Sequence, residues 1–256
     1  AIFTPVLLSG ISGRRGSGLG RNLKIHPASR VIGVFDREIR GWNEVPQSYA
    51  VDEFMRHGVS LEGIFLPPEL VGVSFPAIGR SLTQMMEKYN NLAIIGFRII
   101  EEANGRILPG IFGFPRTWPV IWYNITQADV EKIKLATAAA TRILLAAGAK
   151  KVFSGIFGFE ELKSEAEVKK MLESRIAPSD LELSAYHPQG TAKMWATPEG
   201  GFIDPNGQVW GVKNLYVADA SVLPSTPITN PQFSIMTFCV HIAHKIAASL
   251  GIKTHV

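Results

Sequence analysis

The stretch that most constrains this chain is its last one. From Asn230-Pro231 to about Leu250, apolar residues fall on nearly every side: Phe233, Ile235, Met236, Phe238, Val240, Ile242, Ala243 and Ile246. A helix that is apolar all round has no face to offer water, so it must be buried in something large. Asn230 stands as its expected N-cap, with Pro231 at the first helical position, where the missing N–H costs nothing. The 256 residues, 46% hydrophobic and 19% charged, suffice for one large domain or two small ones around a real core. This composition excludes a disordered chain, a collagen-like repeat and a coiled coil.

The single cysteine, Cys239, excludes an internal disulfide framework and a cysteine-based zinc site. The longest uncharged stretch, after Asp219, is broken by Pro224, Pro227 and Pro231, so no membrane-spanning helix is expected. The opening Ala1-Ile2-Phe3-Thr4-Pro5 lacks the basic region of a signal peptide. It also lacks a methionine, as in a chain that was processed, trimmed or begun inside a longer gene. No cellular location follows, although one cysteine is compatible with the cytoplasm.

The net charge of +4 calls for locating the basic residues. Arg14, Arg15, Arg21 and Lys24 cluster near the start, while the others alternate with Glu and Asp, as over residues 160–170. A nucleic-acid groove would want a denser stripe interleaved with aromatics, so an ordinary solvated surface is expected and nucleic acid is not.

Along the chain, Thr4-Pro5-Val6-Leu7-Leu8 reads as the end of a helix, followed by a loop punctuated by Gly10, Gly13, Gly16, Gly18 and Gly20. Residues 30–35, 49–54, 92–100, 106–112 and 119–125 read as strands, and 81–89 as a short helix. Asn104-Gly105 between two of these strands predicts a hairpin. Thr126 with Asp129 marks an Asp form of the capping box, opening a helix that Gly148 ends. Ser164 with Glu167 opens a second, polar helix to about Ser174. Residues 201–218 are expected to hold two short strands around Asp204-Pro205-Asn206-Gly207. The total is mixed α and β without simple alternation.

Gly16-Ser17-Gly18-Leu19-Gly20 fails as a dinucleotide loop, because Arg21 occupies the third glycine position and no strand precedes it. It reads as a turn, and the chain brings no nucleotide-binding βαβ unit of its own. His241 and His244, three apart, have no accompanying carboxylate, so no metal site is expected. No G-x-S-x-G elbow is present. His187 differs from the other histidines because Tyr186-His187-Pro188-Gln189-Gly190-Thr191 sets an imidazole on a Pro- and Gly-shaped turn, where backbone can approach a flat ligand closely.

The ordered set from His187 through Gly200-Gly201-Phe202-Ile203-Asp204-Pro205, Asn214 to Ser221 and Leu223-Pro224 to Asn230-Pro231-Gln232 resembles the C-terminal signature of the glucose–methanol–choline (GMC) flavin oxidoreductases. Gly18-Leu19-Gly20-Arg21-Asn22-Leu23-Lys24-Ile25-His26-Pro27 resembles that family's G-x-N-L-x-x-H segment, which lies beside the FAD. The resemblance covers about the C-terminal half of such an enzyme, and the N-terminal half with the dinucleotide loop is absent.

The resemblance implies an α+β fold, with an antiparallel-sheet substrate domain at 28–180 carrying helices on one face. Residues 1–27 and 181–256 would be parts of an FAD-binding domain whose Rossmann N-terminal half is not in the chain. It implies alcohol oxidation, in which a hydroxyl proton leaves for a base and a hydride leaves the carbon for the flavin N5. His187 and Asn230 match the catalytic pair, and the Asn form resembles the choline and cholesterol oxidase branches. His187 would accept the hydroxyl proton, and the Asn230 amide would donate to the alkoxide oxygen. Asn22, His26, Asp219, Ala220, Pro231 and Gln232 would contact FAD, with the positive end of the terminal helix stabilising an anionic reduced flavin.

Most of Phe65, Leu66, Phe75, Phe97, Ile111, Phe112, Phe114, Trp118 and Trp122 are better read as plain core, but this aromatic-rich set with the irregular loop 110–115 suggests an apolar alcohol. The alternative is a catalytically inactive half-protein that binds an apolar ligand or a partner chain. Oxidase and dehydrogenase chemistry are both compatible with these residues.

Overall fold

The computed structural model describes residues 1–11, 18–43, 45–47, 49–73, 75, 77–110 and 117–252. Arg14, Arg15, most of the Gly16-Ser17-Gly18 turn, and Ile111, Phe112 and Phe114 of the expected lining lie outside them. In chain order the elements are α1 (Phe3–Leu8), β1 (Arg21–Leu23), β2 (Ala28–Val34), β3 (Ala50–Val51), β4 (Val59–Ile64), α2 (Pro68–Gly72) and α3 (Arg80–Met86). There follow β5 (Leu92–Ile99), β6 (Gly105–Pro109), β7 (Pro119–Trp122), α4 (Gln127–Ala146), β8 (Lys151–Phe153), β9 (Glu161–Leu162), α5 (Glu165–Glu173) and α6 (Gln232–Ser249). Two compact units result: residues 27–100 with 125–184, and residues 1–26 with 101–124 and 185–256. The stretch 101–124, read from sequence as part of the middle domain, groups with the terminal segments in this division.

The first unit is built on a six-stranded antiparallel sheet in the order β3-β4-β5-β2-β8-β9. β2 lies against β5 from Ala28↔Arg98 to Val34↔Leu92, so its alternate side chains face opposite ways. Val31 joins Val59, Leu61, Phe97 and Ile99 on one face, beneath Ile133, Ala136, Ala140 and Leu144 of α4. Ile133, 2% exposed, contributes about 1.5–3 kcal/mol by leaving water. Ile32 and Val34 join Ile94, Phe153, Val71 and Phe75 in a second cluster, against which Leu82 and Met86 of α3 pack. The expected helical cover of one face holds for the long helix α4; the short helices α2 and α3 pack with the other cluster.

α4 begins as its sequence predicts. The Asp129 amide donates to the Thr126 hydroxyl at 3.2 Å, and the Asp129 carboxylate accepts the Thr126 amide at 3.1 Å. Gly148 follows its end at φ +99. In α5 the Ser164 hydroxyl accepts from the Glu167 amide, but the Glu167 carboxylate turns back to the Lys163 amide, so the second box is offset by one residue.

The other unit holds a three-stranded sheet, β1-β6-β7, and a cluster of Leu8, Ala192, Phe202, Ile203, Val209, Val217, Val222 and Ile242. Several expectations change here and beside it. β5 and β6 form no hairpin, because they belong to different sheets. Neither Asn104 nor Gly105 takes the positive φ that the two-residue hairpin turn requires. Gly105 is there for space: a Cβ would come within 2.5 Å of the Tyr123 ring and 2.8 Å of the Trp122 carbonyl oxygen.

Residues 201–218 form turns and isolated bridges, Ile203↔Val209 and Gln208↔Tyr216, rather than two strands. The strand expected over 49–54 shrinks to β3, while β4 forms where none was expected. Finally, α6 starts one residue late: Pro231 occupies the N-cap position and no side chain caps it, so Asn230 is not the cap. Only Ile242 of α6 is buried, and Phe233 and Val240 remain 80% and 55% exposed. The burial expected of this helix is therefore not met among the described residues.

Candidate functional site

His187 sits on a turn whose backbone is fixed in the residues that follow it. The neighbouring Gln189 exchanges hydrogen bonds with Lys24, its amide donating to the Lys24 carbonyl at 2.8 Å and its carbonyl accepting the Lys24 amide at 3.0 Å. The Gly190 amide donates to the Ala220 carbonyl at 3.2 Å, and the Ala192 amide to the Ser221 carbonyl at 2.9 Å. Gly190 lies at φ +82, and a Cβ there would meet the Asn22 carbonyl oxygen at 2.5 Å. Only glycine allows both the conformation and the approach. The turn thus presents a half-buried imidazole from a rigid base.

Asn22, itself at φ +61, sends its side-chain amide to the carbonyls of Gly190 and Pro224, each at 3.4 Å. His26 is fully buried and offers a cofactor no side-chain surface; its ring lies against His187, centroids 5.4 Å apart. Asp219 caps the short turn Ala220–Val222, accepting from the Ser221 amide at 2.6 Å and from the Thr4 hydroxyl at 2.8 Å. Burial pushes its carboxyl up, but hydrogen bonds to Ser221 and Thr4 outweigh this and hold it below the ordinary carboxylate range. Burial, reinforced by the Asp219 charge, pushes the Cys239 thiol up, which disfavours a reactive thiolate there.

Asn230 and Gln232 are exposed at the start of α6, with Pro231 buried between them. The first turn of α6 contains no acidic residue and no side-chain cap. The first turn of a long helix carries partial positive charge, and α6 places no acidic side chain there to offset it. That charge suits an electron-rich ring able to become an anion, as a reduced flavin does. Asn22, Asp219, Ala220, Pro231 and Gln232 belong to the same compact unit as His187 and Asn230.

Among the described residues no group of three or more His, Cys, Asp or Glu could hold a metal ion, and no helix is long and apolar enough to cross a membrane. Of the expected apolar lining, Phe75 and Phe97 are core, 6% and 2% exposed. Phe65 and Leu66 are half-buried, and Trp118 and Trp122 are exposed. Two sets of contacts close to the site escape sequence reading. The Glu101 carboxylate accepts from the amides of Ile25 and His26, and Lys24 Nζ donates to the carbonyls of residues 101–103. Nothing local in the sequence links segments so far apart.

A profile of the family described as "GMC oxidoreductase" matches residues 115–239. An uncharacterized GMC-type oxidoreductase of Mycobacterium tuberculosis is 36% identical over 257 residues, covering 99% of this chain and 40% of the relative. A long-chain-alcohol oxidase of Arabidopsis thaliana is 26% identical over 277 residues, covering 100% of this chain and 36% of the relative. This chain therefore spans less than half the length of these relatives. Among solved structures, pyridoxine 4-oxidase from Mesorbium loti superposes with a TM-score of 0.61 at 17% identity, over 94% of this chain and 45% of that one. Formate oxidase of Aspergillus oryzae gives 0.62 at 16% identity, over 97% and 53%. The likeness to these two is one of fold.

Proposed function

The chain belongs to the GMC oxidoreductase family, and on that premise we propose that it forms the His- and Asn-bearing part of an FAD-dependent enzyme that oxidises the CH–OH group of an alcohol. FAD, when bound, supplies the hydride acceptor. Asn22, Asp219, Ala220, Pro231 and Gln232 hold it. His187 takes the hydroxyl proton on a ring nitrogen, the general-base role to which an imidazole is suited. The Asn230 amide donates a hydrogen bond to the oxygen left behind and so orients the carbon that bears the departing hydrogen. The uncapped start of α6 adds positive potential beside Gln232.

The observation that carries this reading is the half-buried imidazole held by a fixed turn, in the same compact unit as a long helix with an open N-terminus. An apolar alcohol is the favoured substrate class. It is supported by the similarity to the Arabidopsis thaliana long-chain-alcohol oxidase. The exposed apolar residues Phe233, Met236 and Val240 of α6 support a further stretch of polypeptide, corresponding to the rest of the longer relatives, lying over that helix.

The test uses the full-length protein purified with its flavin. Mixed without oxygen with a series of primary alcohols from short to long, the flavin absorbance bleaches, and bleaching quickens with chain length. No bleaching by any alcohol in the series contradicts the reading.

A further inference from the structure

Two histidine rings face each other in the unit that carries the proposed base. Resting on the reading of His187 as that base, we infer that His26 is a positioning residue which fixes the His187 imidazole through ring-to-ring contact. The centroids are 5.4 Å apart and the planes tilted by 45°, within the range at which aromatic rings hold one another. His26 is completely buried, so its ring is a fixed wall rather than a mobile neighbour.

The backbone behind this wall is unusual. His26 adopts φ +55, in the left-handed region, which is strained for a non-glycine residue and persists only when the surroundings impose it. Here they do. The Glu101 carboxylate, 3% exposed, accepts the Ile25 amide at 2.7 Å and the His26 amide at 3.0 Å through the same oxygen. The Lys24 ammonium anchors the same stretch by donating to the Ala103 carbonyl at 2.8 Å and the Glu101 carbonyl at 3.2 Å.

Lys24 also closes the loop to the base, since its backbone pairs in both directions with Gln189, two residues beyond His187. One short ladder therefore sets both rings. A histidine needed merely to fill space would not require a strained backbone clamped by a buried carboxylate. The contact limits the orientations open to the His187 ring, so that its nitrogen meets the alcohol hydroxyl without a search. Its loss lowers the rate of the reductive step more than it weakens alcohol binding.

The experiment compares full-length, flavin-loaded wild type, His26→Asn, His187→Ala and the double variant. Asparagine tolerates left-handed backbone, so His26→Asn removes the ring while keeping the conformation. The limiting rate of flavin reduction is expected to fall by about 10- to 100-fold in His26→Asn, with flavin content retained and the alcohol dissociation constant within about twofold. In the His187→Ala background the same change has no further effect, because His26 acts only through His187. An equal loss in both backgrounds, or no loss in the wild-type background, overturns the inference. If His187→Ala itself reduces at the wild-type rate, the base reading falls and takes the inference with it.

Two further measurements guard against a variant that fails to fold. His26→Phe keeps a ring against His187 and is expected to retain the rate within about threefold. A flavin-loaded His26→Phe that loses as much as the asparagine variant should contradicts ring contact as the cause. A crystal structure of His26→Asn is expected to show the His187 ring turned from its wild-type orientation, and an unmoved ring overturns the inference.

Discussion

The Thr4 hydroxyl donates to the Asp219 carboxylate at 2.8 Å, joining α1 to the turn before α6 across 215 positions of sequence. With the Ser221 amide at 2.6 Å on the other oxygen, Asp219 is held as a charged acceptor. Its folded pKa is depressed, so its stabilisation is complete above the ordinary carboxylate value of about 3.9 and is lost as pH falls through the lower folded value. Asp219→Asn is expected to cost about 1.5–3 kcal/mol near pH 6. Denaturant titrations of both proteins at several pH values check this. The gap closes below about pH 4, and a gap that widens on acidification contradicts the assignment.

Gly190 combines φ +82 with a close approach to Asn22, so Gly190→Ala meets both strain and collision. A loss of roughly 2–4 kcal/mol in unfolding free energy is expected, together with reduced flavin content, because the turn carrying His187 must shift. Thermal unfolding and the flavin-to-protein absorbance ratio measure the two effects.

Thr126 lies in the other unit and tests the fold apart from the site. Thr126→Ala removes the hydroxyl that accepts the Asp129 amide and leaves that donor buried at the start of α4. About 1 kcal/mol of stability is expected to go, with flavin reduction unchanged. Equilibrium unfolding beside anaerobic reduction kinetics checks both.

How much the sequence discloses follows the range of the interactions. The α4 cap is legible because Thr126 and Asp129 are three residues apart and their chemistry is local. Ser164 and Glu167 have the same spacing, but the carboxylate chooses the Lys163 amide, one residue away from the expected donor. Asn104-Gly105 misleads because a hairpin is only a local preference. Pairing of β6 with β1 and β7, and the Lys24 and Glu101 contacts, override it.

β4 does carry an alternating pattern, Val59 and Leu61 inward, but Gly58 before it and Gly63 within it interrupt the pattern. At the site, the His187 turn and the Asn230-Pro231 helix start are visible in residue order. The His26 and Glu101 contacts join distant segments, and no spacing in the sequence announces them.

Asn230 separates two roles that sequence alone leaves merged. Since Pro231 occupies the cap position, Asn230→Asp removes no helix cap. It replaces an amide donor with a carboxylate beside the developing alkoxide, so the reductive rate is expected to fall by about 100-fold or more. Unfolding curves and stopped-flow reduction of one preparation decide it; an unchanged rate removes Asn230 from the mechanism.

The proton acceptor is the centre of the account, and His187→Ala tests it most directly. The measurement is the rate of flavin reduction by a primary alcohol in the full-length protein, followed anaerobically in a stopped-flow spectrometer. The prediction is full flavin content and a limiting rate lower by about 100-fold or more. A rate within a factor of a few of wild type would mean that another group takes the proton.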